Sequence, residues 1–163
     1  MIGVARTGGD VRIVRAGTEV NLDGVRLSFL HPDTVLLDAV HDPNDYSAVF
    51  RLDFGRFSGL FLGDASQEVE ARLLERYGSR LDVDVLKVGH HGSGTSTSAE
   101  FLTQLTPSVA LIPVGRRNRY RHPDPRVLER LAAAGAEVFR TDVQGSVTLM
   151  IGRNGRIEAR TGQ

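Results

Sequence analysis

Two adjacent histidines stand in the run Lys87-Val88-Gly89-His90-His91-Gly92-Ser93, where a hydrophobic stretch, Leu81 to Val88, gives way to Gly, Ser and Thr. Imidazoles at the end of a buried strand, on backbone loosened by glycine, suit the metal sites of hydrolases. A carboxylate occupies a comparable place upstream, where Leu60-Phe61-Leu62 runs into Gly63-Asp64-Ala65. A third candidate follows in Asn118-Arg119-Tyr120-Arg121-His122-Pro123. One carboxylate and three histidines, each at the mouth of a strand or loop, make a candidate site that nothing else in the chain rivals.

Each group also has a duller role. Asp64 could bind a metal, or it could cap a helix that starts near Gln67, and local sequence alone favours the cap. The histidine pair one βα unit further on shifts the balance, because ligands of open α/β sheets gather at the carboxyl ends of strands. If the strand continued through His90 and His91, their side chains would face opposite ways. One is therefore expected to ligate and the other to support it or pack, and His90, nearer the strand end, is the expected ligand. Ser93 is no hydrolase nucleophile, since the Gly-x-Ser-x-Gly elbow is missing: His91 and Thr95 stand where the glycines should. Its expected role is to hold the loop or to bond a ligand.

His122 reads either as a partly exposed turn histidine or as a catalytic or substrate-contacting group. Arg116, Arg117, Arg119 and Arg121 crowd the residues before it. Guanidinium forks bind phosphate oxygens in pairs, but such a run is equally consistent with a solvated loop. His31 and His41 flank a loop with Asp33, Asp38, Asp42 and Asp45. No ligand spacing there matches a metal device, so this loop is left outside the site.

The 163 residues fit one domain with a core of its own, and 40% hydrophobic with 25% charged residues is an ordinary globular composition. No run approaches the roughly 18–20 apolar residues of a membrane span, and the first ten residues lack the layout of a signal peptide. The expectation is a soluble piece. The absence of cysteine excludes disulfides, thiolate metal sites and cysteine nucleophiles. Any metal must be held by His, Asp, Asn and water, which suits zinc or manganese. A net charge of zero excludes a global field drawing the chain onto nucleic acid. Lys87 is the one lysine among 20 basic residues.

The elements that must position these groups follow from periodicity. Strands are expected over Val11–Val14 and Val25–Leu30, and a hairpin from Ala48–Phe54 and Gly59–Leu62. A helix follows over Glu68–Tyr77, stopped by Gly78, and then a strand over Val83–Val88. Thr97-Ser98-Ala99-Glu100 has the form of a capping box opening a short helix. A strand over Val109–Val114, a helix with Pro123 in its first turn, and strands over Val138–Arg140, Ser146–Ile151 and Arg156–Ala159 complete the chain. This order predicts a layered α/β sandwich with a mixed sheet.

The ordered set Asn44-Asp45-Tyr46-Ser47, Gly63-Asp64-Ala65, Leu86 to Ser93, Asn118 to Pro123, Arg140-Thr141-Asp142 and Gly145 resembles the ComEC family. These are bacterial DNA-internalisation proteins of natural transformation, and the likeness is to the C-terminal part of their metallo-β-lactamase-like domain. The resemblance implies half of an αββα metallo-hydrolase sandwich and a nuclease that degrades one DNA strand during uptake. It implies a parent in the plasma membrane, with this domain extracytoplasmic beside a membrane channel. By position, Asp64 matches the bridging carboxylate between two metal ions, His90 a late histidine ligand and His122 an active-site histidine. Asn44 falls where many relatives place a histidine, before the strand that carries Ser47. Arg119, Arg121 and Asn118 are assigned to substrate.

The fold's early ligand motif, His-x-His/Asp-x-Asp-His, occurs nowhere in these residues. The resemblance therefore implies that residues 1–163 are the C-terminal portion of a domain whose N-terminal half lies upstream of Met1. Three functional readings result. The first is a metal-dependent DNA phosphodiesterase, weakly active without its other half. The second is a non-catalytic fragment that self-associates through an exposed sheet, and the third is a metallo-hydrolase of the same fold for a small molecule.

Overall fold

The computed structural model describes residues 13–33 and 42–162. Seven strands lie side by side in chain order: β1 (Glu19–Leu22), β2 (Val25–His31), β3 (Val49–Phe54), β4 (Phe57–Phe61), β5 (Val85–Lys87), β6 (Val109–Ile112) and β7 (Glu137–Arg140). The first four form an antiparallel meander, whereas β4 to β7 run parallel. Parallel neighbours need crossovers. Helices α1 (Gln67–Tyr77), α2 (Ala99–Leu105) and α3 (Pro125–Ala133) supply them, and α4 (Thr141–Gln144) is a single turn after β7. A separate hairpin, β8 (Ser146–Ile151) and β9 (Ile157–Gly162), closes the chain. The chain is thus α/β with a mixed sheet, as expected.

The two sheet faces follow from the two-residue period of strands. On β5 and β6, Leu86, Ala110 and Ile112 face the helices, where Val69, Leu73, Phe101, Leu102, Leu105, Val127 and Leu131 pack on them. Val85 and Val109 face the other way, with Phe57 and Phe139, toward Val147, Leu149 and Ile151 of the hairpin. Burying each such side chain stabilises the fold by about 1.5–3 kcal/mol. Between that hairpin and the meander an apolar cleft stays open, lined by Val25, Leu52, Phe54, Phe61 and Leu111 among others.

Several boundaries depart from the periodicity. The expected strand over Val83–Val88 is reduced to Val85–Lys87, preceded by a 3-10 turn at Gly78–Leu81. Asp84 explains the late start: its carboxylate accepts from the Ser58 N–H and Oγ–H, which occupies the edge where pairing would begin. The α2 cap is Ser98 rather than Thr97, with Ser98 Oγ accepting from the Phe101 N–H. Thr97 is committed elsewhere, because its N–H donates to buried Glu70 of α1. Pro125, not Pro123, opens α3, since Asp124 provides the cap. Strand β1 has no counterpart in the periodicity; its residues are mostly exposed and carry little alternation. The strand expected at Val11–Val14 begins outside the described residues, and Ile13 and Val14 belong to no strand.

Candidate functional site

Because β4, β5 and β6 are parallel, the segments that follow them emerge at one edge of the sheet. Asp64 follows β4, His90 and His91 follow β5, and the loop 113–124 follows β6. The three motifs are therefore brought together by topology.

Asp64 is held by a neighbour distant in sequence. Gly63 turns the chain with φ +57°, and a Cβ there would lie 2.7 Å from the Ser47 Cβ, so only glycine permits the approach. Ser47 Oγ then accepts from the Asp64 N–H at 2.9 Å. Two residues earlier, buried Asp45 accepts from the Ser66 N–H at 3.0 Å, while its own carbonyl accepts from His31 Nε2 at 2.6 Å. The short helix Pro43–Tyr46 thus bridges β2 and the turn after β4. Helix α1 starts from Ser66, so Asp64 does not act as its cap. Asn44 contributes backbone bonds, its N–H to Asp42 and its carbonyl to the Ser47 N–H. His31 proves to be a buried brace, while His41 and Asp38 lie outside the described residues.

The histidine pair sits in a tight 3-10 turn, Gly89–Gly92, and not on a continuing strand. Both residues adopt left-handed backbone, His90 with φ 46° and His91 with φ 55°, so the alternation rule of strands does not govern them. The His90 N–H donates to the Gly63 carbonyl, which ties the two motifs. The His91 Nδ1–H donates to the Pro113 carbonyl at 2.6 Å. That bond fixes the ring so that Nε2 lies 3.6 Å from Asp64 Oδ1. A ring nitrogen held by a carbonyl sets the orientation of the other, so Nε2 and Asp64 could face one cation. Of the two rings it is that of His91 that approaches Asp64, whereas the sequence argument gave His90 the ligand's place for its nearness to the strand end. Ser93 bonds Thr95 Oγ1 and accepts from the Thr95 N–H, so it holds the loop.

His122 joins the cluster from the third segment, its ring edge-on to His90 with centroids 5.8 Å apart. Asn118 grips its backbone from both sides. The carboxamide oxygen accepts from the His122 N–H at 2.8 Å, and the amide donates to the His122 carbonyl at 2.8 Å. Asn118, assigned to substrate from sequence, has its carboxamide engaged in positioning His122. Partial burial, with the charges of His90 and His91, holds the His122 pKa below the ordinary imidazole value; Asp124 and Asp64 oppose this. Gly92, with φ +83°, lets Pro123 lie on the histidine turn, since a Cβ there would meet the Pro123 Cβ at 2.6 Å.

Two further groups escape the sequence argument. Lys87, the lone lysine, sends Nζ to the Gly63 carbonyl at 2.7 Å. Burial lowers its pKa, and nearby Asp64 counteracts the effect. Tyr120 projects from the arginine loop, 80% exposed. Arg116, Arg117, Arg119 and Arg121 are all exposed as well. A pocket of about 490 Å³ lies between His91, the loop after β6 and Thr141, lined by Pro113, Asn118, Tyr120 and His122 among others.

Asp64 and His91 offer one oxygen and one nitrogen to a cation, half of what tetrahedral zinc takes. Among the described residues no group of three or more His, Asp or Glu side chains could hold a metal ion. Asp64 and His91 alone therefore do not make up a complete metal site among the described residues. No helix among the described residues is long and apolar enough to cross a membrane.

No protein-family model matches the chain. It is 38% identical over 133 residues to Competence protein ComA of Neisseria gonorrhoeae, covering 82% of this chain and 19% of that protein. It is 35% identical over 137 residues to ComE operon protein 3 of Bacillus subtilis, covering 82% of this chain and 17% of the relative. Against Recombination protein 2 of Haemophilus influenzae the identity is 39% over 132 residues, covering 81% and 16%. The chain thus spans less than a fifth of the length of each of these relatives. Over four-fifths of its own length, it is a homologue of a segment of bacterial competence proteins.

Proposed function

We propose that this chain is the C-terminal portion of a metallo-β-lactamase-like domain in a DNA-uptake protein, and that the domain hydrolyses DNA phosphodiesters with divalent metal. The observation that carries the reading is the His91–Asp64 approach, with His91 oriented by Pro113 at the carboxyl edge of the parallel strands. One helix layer over one mixed sheet is compatible with half of an αββα sandwich. Homology to competence proteins supports DNA as substrate.

Zinc or manganese, when bound, would supply a hydroxide at neutral pH by acidifying a water. Among the described residues Asp64 and His91 are the ones that would hold it, with His90 adjacent, and a complete site would need further ligands. Asn118 orients His122 toward the same edge, where its imidazole can hold or pass a proton at the leaving oxygen. Arg119 and Arg121 steady the phosphate. Ser47 and Asp45 keep the Asp64 turn in place.

The test is cleavage of a labelled DNA with manganese or zinc, alongside metal content after purification. With two ligands among the described residues the chain is expected to bind metal weakly and cleave slowly, and Asp64→Ala and His91→Ala should each abolish what cleavage there is. Cleavage that survives both substitutions, or that ignores a chelator, overturns the reading. A second reading, a non-catalytic segment that self-associates through its sheet, is favoured by the absence of a three-ligand group among the described residues. A dimer in size-exclusion chromatography that neither takes up metal nor cleaves DNA would establish it.

A further inference from the structure

Tyr120 is the most exposed large aromatic side chain among the described residues. A phenol ring left 80% exposed forgoes the burial that makes aromatic residues stabilising. Its ring lies against His122, nearly parallel at 17° with centroids 5.7 Å apart. The rest of the ring faces solvent, and its sequence neighbours Arg119 and Arg121 are both exposed and neither ion-paired to a described residue. Nor does the ring hang on a loose tip. The Asn118 clamp closes the loop on His122, the Asn118 N–H donates to the Gly115 carbonyl, and Pro123 is seated on Gly92.

We infer that Tyr120 is a stacking platform for an unpaired nucleobase, and that the site takes its DNA as single strand. The inference rests on DNA being the substrate and adds which form of DNA is bound. A flat exposed ring beside unpaired guanidinium groups is the pairing by which proteins hold single strands without reading sequence: bases stack, and cations follow the phosphates. In a duplex the base faces are already stacked on one another, so the platform has nothing to receive. Contact with His122 puts the stacked nucleotide next to the groups that would act on its phosphate.

The experiment is equilibrium binding of the whole chain, with chelator present so that cleavage does not enter, to three fluorescent DNAs of equal length. They are an oligo-dT strand of about ten nucleotides, an abasic strand of the same backbone charge, and a duplex. Wild type should prefer oligo-dT over the abasic strand by roughly 5- to 100-fold, the range expected for one stacked base, and should prefer it over duplex. Tyr120→Leu should bring oligo-dT down to the abasic level, and Tyr120→Trp should restore the preference. Arg119→Gln should weaken both single strands alike. Tyr120 is exposed, so these variants keep the fold, which circular dichroism verifies. Equal binding of oligo-dT and abasic strand by wild type, a preference for duplex, or a preference unchanged in Tyr120→Leu overturns the inference. Because no metal is present, a nuclease assay that fails leaves this result standing, and lost base preference leaves the hydrolase reading standing.

Discussion

The turn after β4 and the loop after β6 both deliver chemistry to the same edge, yet they are built oppositely. Around Asp64 the backbone is committed: Ser47 and Asp45 accept from the N–H groups of Asp64 and Ser66, and Gly63 allows the close approach. Around His122 the loop backbone is held by Asn118 and by Pro123 against Gly92, while the side chains of four arginines and Tyr120 stand in solvent. A carboxylate meant for a metal needs its position determined in advance, since a displaced ligand costs affinity. Side chains meant for a flexible polyanion work as charges and surfaces, and rigidity gains them little. On the proposed function, the difference separates a part that fixes geometry from a part that would capture substrate.

That contrast predicts a descending series of effects. The largest belongs to Gly63→Val and Gly92→Val, where left-handed backbone and a Cβ approach below 3.0 Å coincide. Strain and overpacking together should cost about 2–5 kcal/mol, read as a lowered midpoint in urea. Asp45→Ala comes next. It leaves the Ser66 N–H without its acceptor and should cost about 2 kcal/mol, together with a roughly tenfold loss of metal affinity by calorimetry. An unchanged affinity would show that the brace has no part in the site.

Glu70 sharpens the comparison from below. It is buried and accepts from the N–H groups of Thr97 and Ser98, behind the histidine turn. Burial raises its pKa above 4.5, against the pull of those bonds and of Arg130. A carboxyl whose folded value is raised contributes stability that is full below the unfolded value and is lost as pH rises through the folded one. Thermal melts should therefore show Glu70→Gln gaining on wild type as pH climbs from about 4.5. A gap that stays constant with pH would contradict this. The smallest effect on stability belongs to the double variant Arg119→Gln, Arg121→Gln, within about 0.5 kcal/mol. Its effect on DNA should be plain: weaker binding, with the salt slope reduced by about 0.7 for each phosphate that is no longer neutralised.

Much of this is legible in the sequence because the relevant signals are local. Gly-Asp at the end of an apolar run, paired histidines between glycines, and two-residue alternation on β2 and β3 need no distant partner to be recognised. The capping box at Thr97 misleads because Thr97 already serves Glu70, from another helix. Strand alternation would turn His90 and His91 to opposite faces, and the left-handed backbone of both residues removes that premise. Asp45 shows no role within its own motif, since its partner Ser66 lies 21 residues away. Tyr120 resembles one more polar loop residue until its exposure and its ring contact with His122 are visible.

The order of residues by itself determined the α/β class, most helices and strands, and the kinds of group available for chemistry: carboxylate, imidazole and guanidinium, never thiolate. These depend on side-chain type and on periods of two and 3.6 residues, which are written along the chain. Only the tertiary structure decided which imidazole nitrogen turns to Asp64, which side chains hold that turn, and which aromatic ring is left uncovered. Those outcomes depend on hydrogen bonds and contacts between residues tens of positions apart, whose partners are chosen by the packing of the sheet.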